Sequence, residues 1–327
     1  MFNVTSPIWV WNAVGGGVSW RTIDRDIYGN LLTTLFPSNT LGYLCKIWTQ
    51  GAAGEWGVRQ PGSSDSLINF GLNTSFHVAC DPAHLSFEFF PSSAITTYQI
   101  LITAYITPGG VTLFQDAVDM TPATPNSWEA VDLSSLCPGA IGMLCQVIDK
   151  SSGWTWGLRK HGSTDNRVNV MYGYGHTFPI IGCDGAQKID SYSGKFNGLG
   201  QALLKIKGYI TSGGHFHTNA INITPAIPGV YTDFDASRPE GKAQSAIVEI
   251  YATTSDKSAA RRKGDGEDWY RGALGVYYLP GVDDSGVAQI KLESLDNMSA
   301  WLQGTLFGAS PGSGKNIADD LVKAAFI

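Results

Sequence analysis

A chain of 327 residues, 43% hydrophobic and 15% charged, carries enough apolar side chain for two or three packed cores, which excludes a disordered protein. No stretch approaches the ~20 apolar residues that a membrane-spanning helix needs, so membrane insertion is not expected. A net charge of −6 argues against a broad phosphate-binding face and direct nucleic-acid contact, and the 39 glycines suit short strands and tight turns.

In chain order, residues 1–15 read as an N-terminal arm. Its start, Met-Phe-Asn-Val-Thr-Ser-Pro, lacks the charged and apolar regions of a secretory signal. That predicts folding where the chain is made, with the five cysteines as thiols at first; an odd count cannot pair completely within one chain.

Residues 16–112 form a first repeat and 113–214 a second with a leading linker, because three blocks recur at one offset. Leu44-Cys45-Lys46-Ile47 answers Leu144-Cys145-Gln146-Val147. Trp56-Gly57-Val58-Arg59 answers Trp156-Gly157-Leu158-Arg159, and Gly62-Ser63-Ser64-Asp65 answers Gly162-Ser163-Thr164-Asp165. Outside this window the match continues with slips: Trp20 and Asp24 answer Trp128 and Asp132, and Cys80-Asp81 answers Cys183-Asp184. Within each copy, runs such as Ile100–Ile106 and Leu203–Tyr209 are short, rich in strand formers and bounded by turns. The alternation of apolar residues with Lys205 and Lys207 predicts a strand with one wet face.

Residues 215–230 read as a linker, and 231–308 as a diverged third repeat. There Ala246–Ile250 fits the cysteine strand, Arg261–Glu267 falls where Arg159–Asp165 would, and Gly281-Val282-Asp283 answers Gly182-Cys183-Asp184. Residues 309–327 read as a loop and an amphipathic helix from Asn316, with acids early and Lys323 late. The fold class expected is all-β: three tandem β-sandwich or jelly-roll-like repeats with a short C-terminal helix.

The copies also compare the cysteines. Cys45 and Cys80 match Cys145 and Cys183, and the third copy has Val248 and Val282 there. Two readings stand: buried thiols acting as small hydrophobes, or one disulfide in each of the first two copies. Cys137 is left over in both.

Chemistry-bearing motifs are weak. Gly312-Ser313-Gly314-Lys315 lacks the earlier glycine and the Ser or Thr of a phosphate-binding loop. His215-Phe216-His217 puts two imidazoles on one strand side, yet reads as part of a solvated connection. His77 and His176 fall at nearly matching positions and suggest a shared structural role. Gly264–Asp268 lacks calcium-loop spacing, and Ser163 has no nucleophile elbow. No catalytic residue, metal or cofactor is assigned. The Arg-x-x-Gly-Ser-x-Asp block has two readings. One is a structural pair across a turn, Arg59 with Asp65 and Arg159 with Asp165. The other is a ligand surface of Trp56, Arg59, Asp65, Trp154, Trp156, Arg159 and Asp165, the chemistry of a sugar platform.

The run Gly157–Arg167, with Trp128-x3-Asp132-Leu133-Ser134, Pro138-Gly139-Ala140, Ile181–Asp184 and Gly208-Tyr209, resembles a repeat of proteins from tailed phages and related environmental viruses. The resemblance covers most of the chain, best in the second copy. It implies a non-enzymatic virion component of head decoration, tail or fibre type, assembled in the host cytoplasm. Its partners would be copies of itself and other virion proteins. The alternative is a module that binds a glycan or host receptor.

Overall fold

The computed structural model describes residues 1–14, 19–50, 55–70, 74–91, 97–149, 154–171, 175–194, 202–237, 243–253, 256–265, 271–272 and 276–307. The expected C-terminal helix lies outside them. The protein is all-β, with one short helix among the described residues.

The first repeat comprises β1 (Phe2–Val14), β2 (Arg21–Ile23), α1 (Leu32–Leu35), β3 (Gly42–Gln50), β4 (Glu55–Arg59), β5 (Asn69–Phe70), β6 (Thr74–Ala79), β7 (Phe87–Pro91) and β8 (Thr97–Ile106). The second comprises β9 (Val111–Asp119), β10 (Trp128–Asp132), β11 (Gly142–Ile148), β12 (Trp154–Lys160), β13 (Asn169–Met171), β14 (His176–Thr177), β15 (Ile180–Gly182), β16 (Lys188–Ser193) and β17 (Leu203–Ile210). The third comprises β18 (Gly214–Asn222), β19 (Thr232–Asp235), β20 (Ala243–Ala252), β21 (Lys257–Arg262), β22 (Arg271–Gly272), β23 (Val276–Tyr278), β24 (Val287–Leu292) and β25 (Met298–Phe307).

Among the described residues these strands make six antiparallel sheets, two per repeat. The chain crosses between the members of each pair except from the fourth strand to the fifth, which pair with each other. The first pair runs β1-β8-β3-β6 and β2-β7-β4-β5. The second runs β9-β17-β11-β14, with β15 also on β11, and β10-β16-β12-β13. The third runs β18-β25-β20-β23 and β19-β24-β21-β22. The two sheets of the first repeat share one core, with Tyr43, Cys45 and Ile100 from one sheet and Trp56, Phe87 and Phe89 from the other. The third repeat does the same with Val248, Ile250 and Leu302 against Ala260, Ile290 and Leu292.

Three expected boundaries are corrected. The arm over 1–15 is β1, paired with β8 along its length. The linker over 215–230 begins as β18, paired with β25, and the leading linker of 113–214 falls in β9, paired with β17. Each of these first strands has a register shift in mid-course, at Val4/Ile8, between the partners Ile206 and Gly208, and at Phe216/Ile221. Such an interruption breaks the period-two pattern by which a strand is recognised.

The third copy shares backbone hydrogen bonds with the other two. Cys80, Cys183 and Val282 donate their N–H to Leu41, Ile141 and Gln244, and Asp81, Asp184 and Asp283 donate to Ser86, Lys188 and Val287.

Each repeat touches both others. The first meets the second through β6 with β9 and β14, the second meets the third through β12 and β15 with β18, and the third returns to the first through β20 and β25 with β1 and β23 with β6. One apolar cluster draws on all three, with Leu44 and Ile106, Leu144 and Ile180, and Ile247 and Leu279. Buried on both faces, β8 therefore reads as a continuous apolar run.

Candidate functional site: the seams between repeats

The Arg-x-x-Gly-Ser-x-Asp blocks end β4 and β12. Each turns on a glycine in the left-handed region, Gly62 at φ 80° and Gly162 at φ 84°, and Gly264 at φ 89° holds the same place in the third copy. The turn closes with Ser63 N–H to Gln60, Ser163 N–H to Lys160 and Asp265 N–H to Arg262.

The arginine is held within its own repeat. Arg59 lies 4.0 Å over the Trp20 ring and Arg159 4.1 Å over Trp128, while Arg261 lies 3.6 Å over Tyr231. Arg59 pairs with Glu88, Arg159 pairs with Asp190 at 3.1 Å, and Arg261 donates to Gln289 at 2.9 Å. The ring needs the glycine of Trp-Gly-x-Arg: a Cβ on Gly157 would stand 2.6 Å from Trp128, and one on Gly57 3.0 Å from Trp20. Trp20 and Trp128 thus have a role that their recurrence signalled without revealing.

The expected side-chain pair Arg59–Asp65 takes a different form. Arg59 Nη1 donates to the Asp65 backbone carbonyl at 3.0 Å, and Arg159 Nη1 donates to that of Asp165. Both carboxylates are thereby free to reach the following repeat. Asp65 Oδ2 accepts the Ala117 N–H at 3.0 Å, and Asp165 Oδ2 accepts the Ala220 N–H at 2.8 Å. The serines cross the same gap: Ser63 Oγ donates to Asp116 at 2.8 Å and Ser163 Oγ to Asn219 at 2.9 Å, while both accept the N–H of the aspartate two residues on. The N–H groups of Ser64 and Thr164 complete the pair at 2.7 and 2.8 Å. These Ser63 and Ser64 donors hold the Asp116 carboxyl below the usual carboxylate range.

The receiving residues lie on the interrupted stretch of β9 and β18, and nothing in composition marks them. The available signal was Asp116-Ala117 against Asn219-Ala220, at the same offset as Cys80 against Cys183. Lys207 is a further correction. It is 5% exposed and donates to Asp65 at 2.7 Å, so β17 has no wet face there.

The indoles expected to form a ligand platform are interior: Trp56, Trp154 and Trp156 are at most 2% exposed. Trp56 sits 4.0 Å from the His176 ring and 6.0 Å from Phe178, and Trp156 sits 6.2 Å from Tyr277, each contact crossing to the next repeat. Arg59 meets Asp65 and Arg159 meets Asp165 through the aspartate's backbone carbonyl, in the seam rather than around a ligand surface.

All five cysteines are free and buried, so Cys45, Cys80, Cys145 and Cys183 form no disulfides. Burial pushes the thiols of Cys80 and Cys137 up to about 12 and that of Cys183 to about 11. These positions behave as small hydrophobes with a weak donor; Cys80 Sγ and Cys183 Sγ donate to the carbonyls of Thr40 and Ala140.

His77 and His176 are not at matching positions, since His77 faces Leu44 and His176 faces Ile148. His215 and His217 lie in β18 with ring centroids 5.2 Å apart, not in a loop. Among the described residues, no group of three or more His, Cys, Asp or Glu could hold a metal. No protein-family model, curated protein or solved structure matches the chain.

Proposed function

We propose that the chain is a non-enzymatic structural subunit of a virion, built as three jelly rolls closed on one another. The observation that carries this reading is the fate of the repeated motif: its Ser and Asp side chains are consumed in fastening one repeat to the next. A motif kept for assembly is what a shell, tail or fibre component requires, and jelly rolls are a common material of viral shells.

Strand order supports the jelly roll. In every copy the first strand pairs with the last, the second with the one before it, the third with the sixth and the fourth with the fifth, β14 and β15 sharing the sixth place. A six-bladed propeller also has six sheets, but its blades are usually filled by consecutive strands. Here β1, β2 and β3 are not neighbours of one another in any sheet, nor are β9, β10 and β11.

Light scattering and electron microscopy of the purified full chain test the reading. A defined higher-order assembly is expected as concentration rises. A monomer at every concentration that binds glycans on an array would overturn it and favour the receptor-binding alternative, with a surface other than the buried indoles.

A further inference from the structure

The two seams share a backbone but not their charges. Strand register aligns Leu67 with Arg167, through the pairs Trp56–Asn69 and Trp156–Asn169. It aligns Gln146 with Glu249, and Lys207 with Gln303, each of the latter being the extra residue at a bulge in β17 or β25. A bulge re-aims its side chain, and here both point into the seam.

In the second seam Glu249, 1% exposed, accepts from Arg167 Nε at 3.0 Å, Asn169 Nδ2 at 2.8 Å and Gln303 Nε2 at 2.6 Å. Arg167 also pairs with Asp165 at 3.2 Å and lies 4.3 Å over Trp301. In the first seam the cation comes from the other side: Lys207 pairs with Asp65, and the place of Glu249 is taken by the neutral Gln146.

We infer that these buried charges are a docking code, by which the loop of the first repeat fits only the second repeat and that of the second fits only the third. Setting the first loop on the third repeat leaves Glu249 facing Leu67 with no cation supplied by the loop. Setting the second loop on the second repeat buries Arg167 beside Lys207. Each mismatch strands a buried charge, which destabilises far more than a correct pair stabilises. The partner being refused is a second copy of this chain, whose loops have the same backbone and compete whenever chains fold together. The inference rests on the seams and does not depend on a virion role.

The test uses the full chain. The triple variant Arg167→Leu, Glu249→Gln, Gln303→Lys writes the first seam into the second, and Glu249→Gln alone removes the stranded charge with the least change of shape. Two fluorescently labelled populations are unfolded, mixed and refolded, and energy transfer with native mass spectrometry counts species joined through exchanged repeats. Both variants are expected to raise that fraction at least about tenfold, the effect of ~1.4 kcal/mol in an equilibrium. A fraction equal to that of the unchanged chain in either folded variant overturns the code. So does failure of the triple variant to regain strand circular dichroism, because the residues it introduces already seat the equivalent loop in the first seam.

Discussion

At the residue scale, two histidines stand on opposite sides of the first seam. His77 on β6 and His176 on β14 are 1% and 4% exposed, neither ring nitrogen of His77 has a hydrogen-bond partner, and both rings lie against Phe178. Burial, helped by Lys207 at His77, lowers both to about 3, from an ordinary 6.5. The unfolded chain therefore binds more protons between pH 6.5 and 3, so stability is intact above 6.5 and is lost as pH falls through that window. At 1.36 kcal/mol per unit, acidification from pH 6.5 to 5 costs about 2 kcal/mol for each imidazole. The positions equivalent to His77 hold Ile180 and Leu279. His77→Leu should be more stable than the parent at pH 5 by denaturant titration and within about 1.5 kcal/mol of it at pH 8. A parallel loss of stability with pH in parent and variant would count against this account. The cysteines yield a second expectation: Cys45→Val with Cys80→Val, copying Val248 and Val282, should change the unfolding free energy by no more than about 1.5 kcal/mol.

The turn after β12 is the element on which the seam depends. Ser163 Oγ is both an acceptor for Asp165 and a donor to Asn219, so Ser163→Ala removes two bonds at a 6%-exposed site. A loss of about 1–3 kcal/mol is expected in chemical denaturation, and no loss would mean that water replaces the hydroxyl without cost. The turn itself was legible: Gly162, Ser163 and Asp165 fall where the repeated block put them. Its destination was not, because the receiving residues lie on a first strand whose bulge erases alternation, and because Ser63 and Asp65 look the same whether they meet a ligand or a neighbouring repeat. Trp56 and Trp156 misled for a related reason. A Trp three residues before an Arg on a strand looks exposed until the next repeat covers it.

For the whole molecule, strand content and threefold repetition were readable from composition and offsets. The closure of the repeats was not, since it depends on Leu44, Leu144 and Ile247 meeting in one cluster from distant parts of the chain. That shared cluster predicts one cooperative thermal transition in calorimetry, with equal calorimetric and van't Hoff enthalpies. Lys207→Ala, which strands the Asp65 carboxylate in the first seam, should split the transition or lower its midpoint by several degrees. Independent melting of three units in the unchanged protein would rule out the closed arrangement as a folding unit.

The bulge that carries Thr103, Lys207 and Gln303 on β8, β17 and β25 has a consequence for inheritance. In an assembly of identical subunits, every mutation strikes each interface at once, so a buried lysine there would need an acid at every interface simultaneously. Joined on one chain, the three bulges mutate singly. A lysine can then arise opposite Asp65 while its counterparts stay neutral, and the remaining interfaces keep the protein folded while that change is tried.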